Sequence, residues 1–468
     1  MILVVHTYAG LSELFELGRG DLLRAQTLDS QVITVIAYEK SSEKQAHQTV
    51  DSLQTTTIEN IENYRFLSRV EPSYLQARLP AAAPQEPETL ETILNDYCSI
   101  SLARCSAPRF NSVGFNWLAS PAATELETIV MDWLAKLLNL PRSFMFCGTG
   151  GGVIQGTTSE AILCTLVAAR DRALEKVGQE NIAKLVIYGS DQTHSTYTKV
   201  GRIAGFLPSN IRCIPTFADT EFSLDSERVI QAMEADIAAG LVPVYLCATV
   251  GTTSSTAVDP VWCVAFHVDA TYAGSACICR SLGSTWIGIE GARLGQHQPT
   301  QVAHELTWTV VACGSRTRNK PSESNSVVDY KDWQVVCGRR FRALPLWLVL
   351  RSHGVVNLQA HIRSILQMAK AFEAHVSGDP RFEIVVPRRF SSVCFRLNPP
   401  GIALTRLTQP GEFTLPILLW VEPTYEICGG GPRLLKRATW MQREVKSKRK
   451  LMLLLGRLES NFSDLFDD

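Results

Sequence analysis

The feature that most constrains this chain is the rhythm of residues 122–269, where short apolar runs alternate with longer stretches of helical periodicity. Ala122–Leu138 reads as an amphipathic helix, Phe144–Cys147 as a short strand, and a glycine loop then leads into a helix over Thr158–Val177. Leu185–Tyr188 reads as a buried strand, Gln192–Ala204 as a helix, Ile211–Ile214 as a strand and Ser226–Ala239 as a helix. Val242–Ala248 and Cys263–Val268 complete the series, the last ending at Asp269. Strands separated by helices pair side by side in one direction, so the pattern predicts an α/β unit, a mainly parallel sheet with helices on both faces. Ligands of such sheets bind beyond the carboxyl ends of the strands. The segments Ser190–His194 and Thr249–Thr253, together with Asp269, lie at those ends.

With 468 residues the chain exceeds one compact core, which predicts two or three structural units. A net charge of −1 gives no overall field for nucleic acid or an anionic membrane, so neither is expected as a partner. No apolar run reaches the roughly 18 residues of a membrane span. The 13 cysteines include no C-x-x-C pair, Cys277 and Cys279 being the closest, and no secretory signal stands at the start. Free thiols in a cytoplasmic, reducing compartment are the expectation. His304-Glu305 opens like a zinc-protease motif, but Trp308 stands where the second histidine belongs, so no metal site is predicted.

Gly148-Thr149-Gly150-Gly151-Gly152-Val153-Ile154-Gln155-Gly156-Thr157-Thr158-Ser159-Glu160 runs directly into a long helix. Glycines allow close backbone approach, and a helix start offers free N–H groups to a phosphate. Gly151 and Gly156 have the spacing of a nucleotide-binding P-loop, but Thr157 replaces its lysine. A phosphate site or a merely tight turn both fit. His194 alone reads as well as a structural histidine, and Asp269 as a helix cap.

Together these segments resemble the pyridoxal-phosphate-dependent aromatic amino-acid decarboxylases, especially the plant tyrosine and tryptophan branch. The resemblance rests on Val113-Gly114-Phe115-Asn116-Trp117, Ser120-Pro121-Ala122-Ala123-Thr124-Glu125-Leu126-Glu127, the glycine loop, and Ser190-Asp191-Gln192-Thr193-His194. It continues through Ala248–Pro260, His267–Cys277, Val327-Val328-Asp329-Tyr330-Lys331-Asp332-Trp333-Gln334 and Arg339-Arg340-Phe341-Arg342. It implies the fold of the type I pyridoxal-phosphate enzymes: an unmatched segment 1–45, an N-terminal helical segment 46–110, a large cofactor domain 111–345 and a smaller α+β domain 346–468. It also implies roles. Thr158 and Ser159 would hold the cofactor phosphate, His194 would stack on the pyridine ring, and Asp269 would pair with the ring nitrogen, making the ring an electron sink. Thr249 and Thr271 would line the cofactor, Val113 and Phe115 the substrate. Tyr330, on a flexible loop serving the neighbouring subunit of a homodimer, would be the proton donor. The activity implied is decarboxylation of an aromatic L-amino acid (tyrosine, dopa, tryptophan or phenylalanine) to its amine.

The chain departs from that pattern at one decisive place. The family's Asn-x-His-Lys-Trp segment, whose lysine forms a Schiff base with the cofactor, has no counterpart in Gly291–Thr317, and no lysine occurs between Lys199 and Lys320. The segment reads like a gene in the wrong frame or a mis-predicted exon. The stretch before Asn111 is shortened, the pattern fades after about Pro400, and Thr271 replaces an alanine, an overpacking of roughly 1–3 kcal/mol if the site cannot relax. Two alternatives follow: a catalytically inactive homologue or faulty gene model, and an aromatic acetaldehyde synthase, against which Tyr330 argues.

Overall fold

The computed structural model describes residues 3–5, 70–89, 91–93, 95–96, 114, 116–148, 150–260, 267–279, 310–313, 327–380, 382–397, 419–428 and 431–440. Val113, Phe115, Lys320 and most of Gly291–Thr317, on which expectations were placed, lie outside them. Two compact units are Met1–Gln367 and Met368–Asp468.

In chain order the elements of the first unit begin with β1 (Leu3–Val5), α1 (Pro121–Leu137), β2 (Gly151–Ile154), α2 (Thr158–Val177) and β3 (Leu185–Ser190). There follow α3 (Thr196–Ile203), β4 (Ile211–Ile214), α4 (Ser226–Ala238), β5 (Val242–Thr249), β6 (His267–Ala270) and β7 (Val310–Cys313). Then comes α5 (Ala343–Gly378), a long helix broken at Gly354. Local chemistry sets the ends. α1 carries Pro121 in its first turn, where the missing N–H would have had no helical partner. At α2 the Thr157 hydroxyl accepts the Glu160 N–H, and the Glu160 carboxylate reaches back to the Gly156 N–H at 2.8 Å. Asp225 caps α4 through the Glu227 N–H.

The strands form one seven-stranded sheet in the order β2-β7-β1-β6-β5-β3-β4. β7 runs against both of its neighbours, and the other described pairings are parallel. Both faces of β3 are covered, as its unbroken apolar text predicts. Leu185 and Ile187 pack with Ile162, Leu166 and Val200 of α2 and α3, whereas Val186 and Tyr188 pack with Leu224 and Val229 beside α4. Each such side chain contributes about 1.5–3 kcal/mol by leaving water. The second unit contains β8 (Phe382–Ile384) paired with β9 (Phe395–Leu397), and β10 (Leu419–Cys428) paired with β11 (Gly431–Trp440). Phe372, Val376, Phe382, Val393 and Phe395 make its small core.

Three segments change or add to the sequence reading. Phe144–Cys147 is not a strand: Arg142–Phe144 forms one tight turn, and the strand instead arises from the glycine run, at Gly151–Ile154. The glycines there serve packing, because a Cβ on Gly151 would lie 2.5 Å from the Phe146 ring and one on Gly148 would lie 2.1 Å from the Arg142 carbonyl. Leu3–Val5, in the segment 1–45 that matches no part of the family pattern, is a strand between β6 and β7. Val310–Cys313, inside the aberrant segment, supplies the antiparallel strand.

Candidate active site

The chain runs from β3 outward to β4, then returns to place β5 on the other side of β3 and β6 beyond it. In sheets of this kind such a reversal, beyond the carboxyl ends of β3 and β5, is the usual ligand position. Asp269 lies on β6 directly opposite Thr249 of β5. His194 lies in the turn that follows β3. A hydroxyl-to-amide bond from Ser254 to Gln192 ties the loop after β5 to the turn after β3. Gly251 has a left-handed φ of 82°, and a Cβ there would meet the Ala273 Cβ at 2.7 Å, so the loops after β5 and β6 touch only because it is glycine.

Asp269 is almost completely buried. Burial holds its carboxyl above the ordinary value, while Thr271, whose N–H reaches Oδ1 at 3.0 Å, and the charge of His194 pull it back. A cation in front of it would relieve that penalty. The exposed His194 ring is fixed at one edge: the Thr196 N–H donates to Nδ1 at 3.2 Å, and the Thr196 hydroxyl lies 2.8 Å from the same nitrogen. This leaves the ring face open. The buried Thr249 hydroxyl has no partner among the described residues. Thr271 is half-buried as a residue, but its hydroxyl oxygen is enclosed and has no hydrogen-bond partner among the described residues. Thr158 and Ser159 begin α2 behind the Thr157 cap, and their N–H groups lie in the first turn, which an anion favours.

Two residues with no predicted role shape this edge. Asp259 accepts the N–H groups of Thr249 and Leu224, each at 2.8 Å, and so fixes the end of β5. His267 lies two residues before Asp269, stacks on Tyr245 with centroids 5.3 Å apart, and is kept neutral by burial. Both stand inside the quoted motifs, but only their depth of burial reveals what they do.

Tyr330 is not on an open loop. It begins a single helical turn, Tyr330–Asp332, and is fully buried in the apolar cluster that includes Val153, Ile162 and Leu166. Its ring lies under the Arg339 guanidinium, 4.5 Å away, and edge-on to Trp333. Burial pushes its phenol well above the ordinary value. Within this chain the phenol is therefore enclosed by the core rather than exposed on a loop.

The described residues fit pyridoxal phosphate in part. A buried carboxylate whose burial is only partly offset, an exposed imidazole, an unpartnered hydroxyl and the first-turn N–H groups of α2 match the non-covalent demands of its ring and phosphate. No described lysine matches covalent attachment: Lys199 is exposed on α3, and Lys331 is paired with Asp329 and Asp332.

Residues 102–398 match the family model described as the pyridoxal-dependent decarboxylase conserved domain. The chain is 54% identical over 410 residues to tryptophan decarboxylase TDC2 of Camptotheca acuminata, covering 76% of this chain and 81% of that one. It is 45% identical over 425 residues to phenylacetaldehyde synthase of a Rosa hybrid cultivar, covering 81% and 84%. The crystal structure of Catharanthus roseus tryptophan decarboxylase in complex with L-tryptophan superposes with a TM-score of 0.58 at 44% identity, covering 85% of this chain and 93% of that one. Fold and sequence agree: this chain belongs to the pyridoxal-dependent decarboxylase family.

Proposed function

We propose that the crevice beyond β3, β5 and β6 binds pyridoxal phosphate for decarboxylation of an aromatic L-amino acid to its amine, tryptophan being the first substrate to test. The observation that carries this reading is Asp269, a carboxylate buried at the end of β6 opposite Thr249, whose burial is only partly offset by its neighbours. When bound, the cofactor supplies an electron sink for the pair released as the carboxylate leaves. Asp269 holds a proton on the ring nitrogen by opposing its positive charge. His194 offers its ring face, and its Nδ1 contacts with Thr196 hold that face in place. Thr249 provides a hydroxyl, and the N–H groups of Thr158 and Ser159 take the phosphate. Thr271 sets the Asp269 carboxylate through its N–H. The described cysteines are free thiols, and no described helix is long and apolar enough to cross a membrane, which supports a cytoplasmic protein. A homodimer is part of the same reading.

The test is binding before turnover. Purified protein titrated with pyridoxal phosphate should quench its tryptophan fluorescence saturably, and Asp269→Ala should remove most of that response. Equal affinity in the variant would refute the crevice as the cofactor site. A second reading is favoured by one observation, the absence of lysine between Lys199 and Lys320. Under it the chain is a non-catalytic homologue that binds cofactor reversibly and dimerises with an intact relative. Release of carbon dioxide from L-tryptophan, with and without such a relative, separates the two. Detection of aldehyde and peroxide in the same assay tests the acetaldehyde branch.

A further inference from the structure

The buried ion pair between Glu127 and Arg339 is used by none of the chemistry above. Both side chains are almost wholly enclosed, at 4% exposure each. Glu127 projects from α1, and Arg339 lies between the Tyr330 turn and α5. Their targets coincide on one residue, Ile154, the last of β2. The Ile154 N–H donates to Glu127 Oε1 at 2.8 Å, and the Ile154 carbonyl accepts from the Arg339 guanidinium at 3.3 Å. The same guanidinium donates to the Gly114 carbonyl at 2.9 Å and lies over the Tyr330 ring.

The sheet order explains why this residue needs them. Among the described residues β2 is an edge strand with β7 on one side only, so its outward N–H and C=O groups face no described neighbouring strand. Edges of this kind are normally covered. Here one carboxylate and one guanidinium take the place of the missing strand, accepting and donating at the same residue. An apolar pair would fill this volume with less desolvation but could satisfy neither backbone group. Only Gln155, Gly156 and the cap Thr157 separate Ile154 from Thr158 and Ser159. Arg342 adds to the arrangement, since a Cβ on Gly156 would lie 3.2 Å from its guanidinium.

We infer that Glu127 and Arg339 are positioning residues: by pinning Ile154 at the open edge of the sheet, they set where the first N–H groups of α2 point, and so set recognition of the cofactor's phosphate. The inference rests on the binding reading above, and it makes a claim that a general stabilising role does not. Disturbing the pair should weaken contact with the phosphate selectively and spare contact with the ring.

The experiment compares pyridoxal 5'-phosphate with pyridoxal, which lacks the phosphate, by fluorescence titration of the full chain and of Arg339→Lys and Glu127→Gln. Lysine keeps the charge but loses the planar fork that reaches Glu127, Ile154 and Gly114 together. Glutamine keeps an acceptor for the Ile154 N–H but loses the charge. The expected result is a fall of about tenfold or more in the preference for the phosphorylated ligand in Arg339→Lys and a smaller fall in Glu127→Gln, with pyridoxal affinity changed less than about twofold. Equal weakening of both ligands, or an unchanged ratio, overturns the inference. If one variant does not fold, the other decides by the same ratio. If the unmodified chain binds neither ligand, it is the binding reading that fails, a result distinct from an unchanged ratio.

Discussion

Two buried carboxylates ten positions apart have opposite uses. Asp259 spends both oxygens on backbone: one accepts the Thr249 N–H and the other the Leu224 N–H. Asp269, opposite Thr249 on the next strand, receives the Thr271 N–H on one oxygen and feels the charge of His194. Burial raises both. The difference lies in what each leaves unsatisfied. A carboxylate that exhausts its capacity on main-chain donors builds the frame, and one that keeps capacity facing a crevice is available to a ligand.

That contrast breaks most readily through stability. Asp259→Ala should strand two buried donors and cost roughly 2–6 kcal/mol, since each orphaned donor costs about 1–3 kcal/mol. Asp269→Ala, removing a carboxylate disfavoured by its burial, should leave unfolding by urea nearly unchanged. If Asp269→Ala is the more destabilising of the two, the division of roles is wrong. Cofactor binding should sort them the other way: Asp269→Ala should weaken pyridoxal phosphate on the order of 100-fold, the equivalent of about 3 kcal/mol for losing one member of a desolvated charge pair.

A pH series sharpens the comparison further. Burial lifts Asp259 from 3.8 to about 6 in the folded protein. A carboxyl raised on folding binds its proton more tightly in the native state, so its contribution is full below pH 3.8 and is lost as pH rises toward 6. Urea unfolding should therefore show stability declining across that window, by at most about 3 kcal/mol at 1.36 kcal/mol per pH unit. Asp259→Asn should flatten that segment of the curve while lowering stability throughout, since an amide cannot accept at both positions. A curve of the same slope in the variant would assign the titration elsewhere.

The smallest effects concern Tyr330 and the lysines. Tyr330→Phe removes a hydroxyl that has no partner among the described residues. Its stability should hold within about 1 kcal/mol, and cofactor affinity should be unchanged. A large loss of binding would mean that the hydroxyl itself reaches the cofactor. Borohydride treatment of the protein with pyridoxal phosphate, followed by peptide mass analysis, should find no cofactor fixed to Lys320 or Lys331.

Much of the framework was legible because its signals are local. The span of α2 and that of β4 match the text residue for residue, since a cap, a period and a closing glycine act within a few positions. Asp269 and His194 were legible as candidates because parallel α/β sheets bring strand ends to one edge. Less legible was anything decided by a partner far away in sequence. The glycine run read as a phosphate cradle, yet Gly151 and Gly148 are small because Phe146 and the Arg142 carbonyl press on them. Tyr330 read as a mobile acid, yet Arg339 and the apolar cluster enclose it.

By itself, then, the sequence determined the alternation of helix and strand, the parallel class of the sheet, the edge where chemistry gathers and the missing lysine, because each is written in neighbouring residues. Tertiary structure alone decided that Leu3–Val5 enters the sheet between β6 and β7, that Asp259 holds two main-chain donors where Asp269 holds one, and that Glu127 and Arg339 meet on Ile154. The physical reason is common to all three. Backbone donors and acceptors must be satisfied wherever burial leaves them, and which group satisfies which is set by the packing of distant segments.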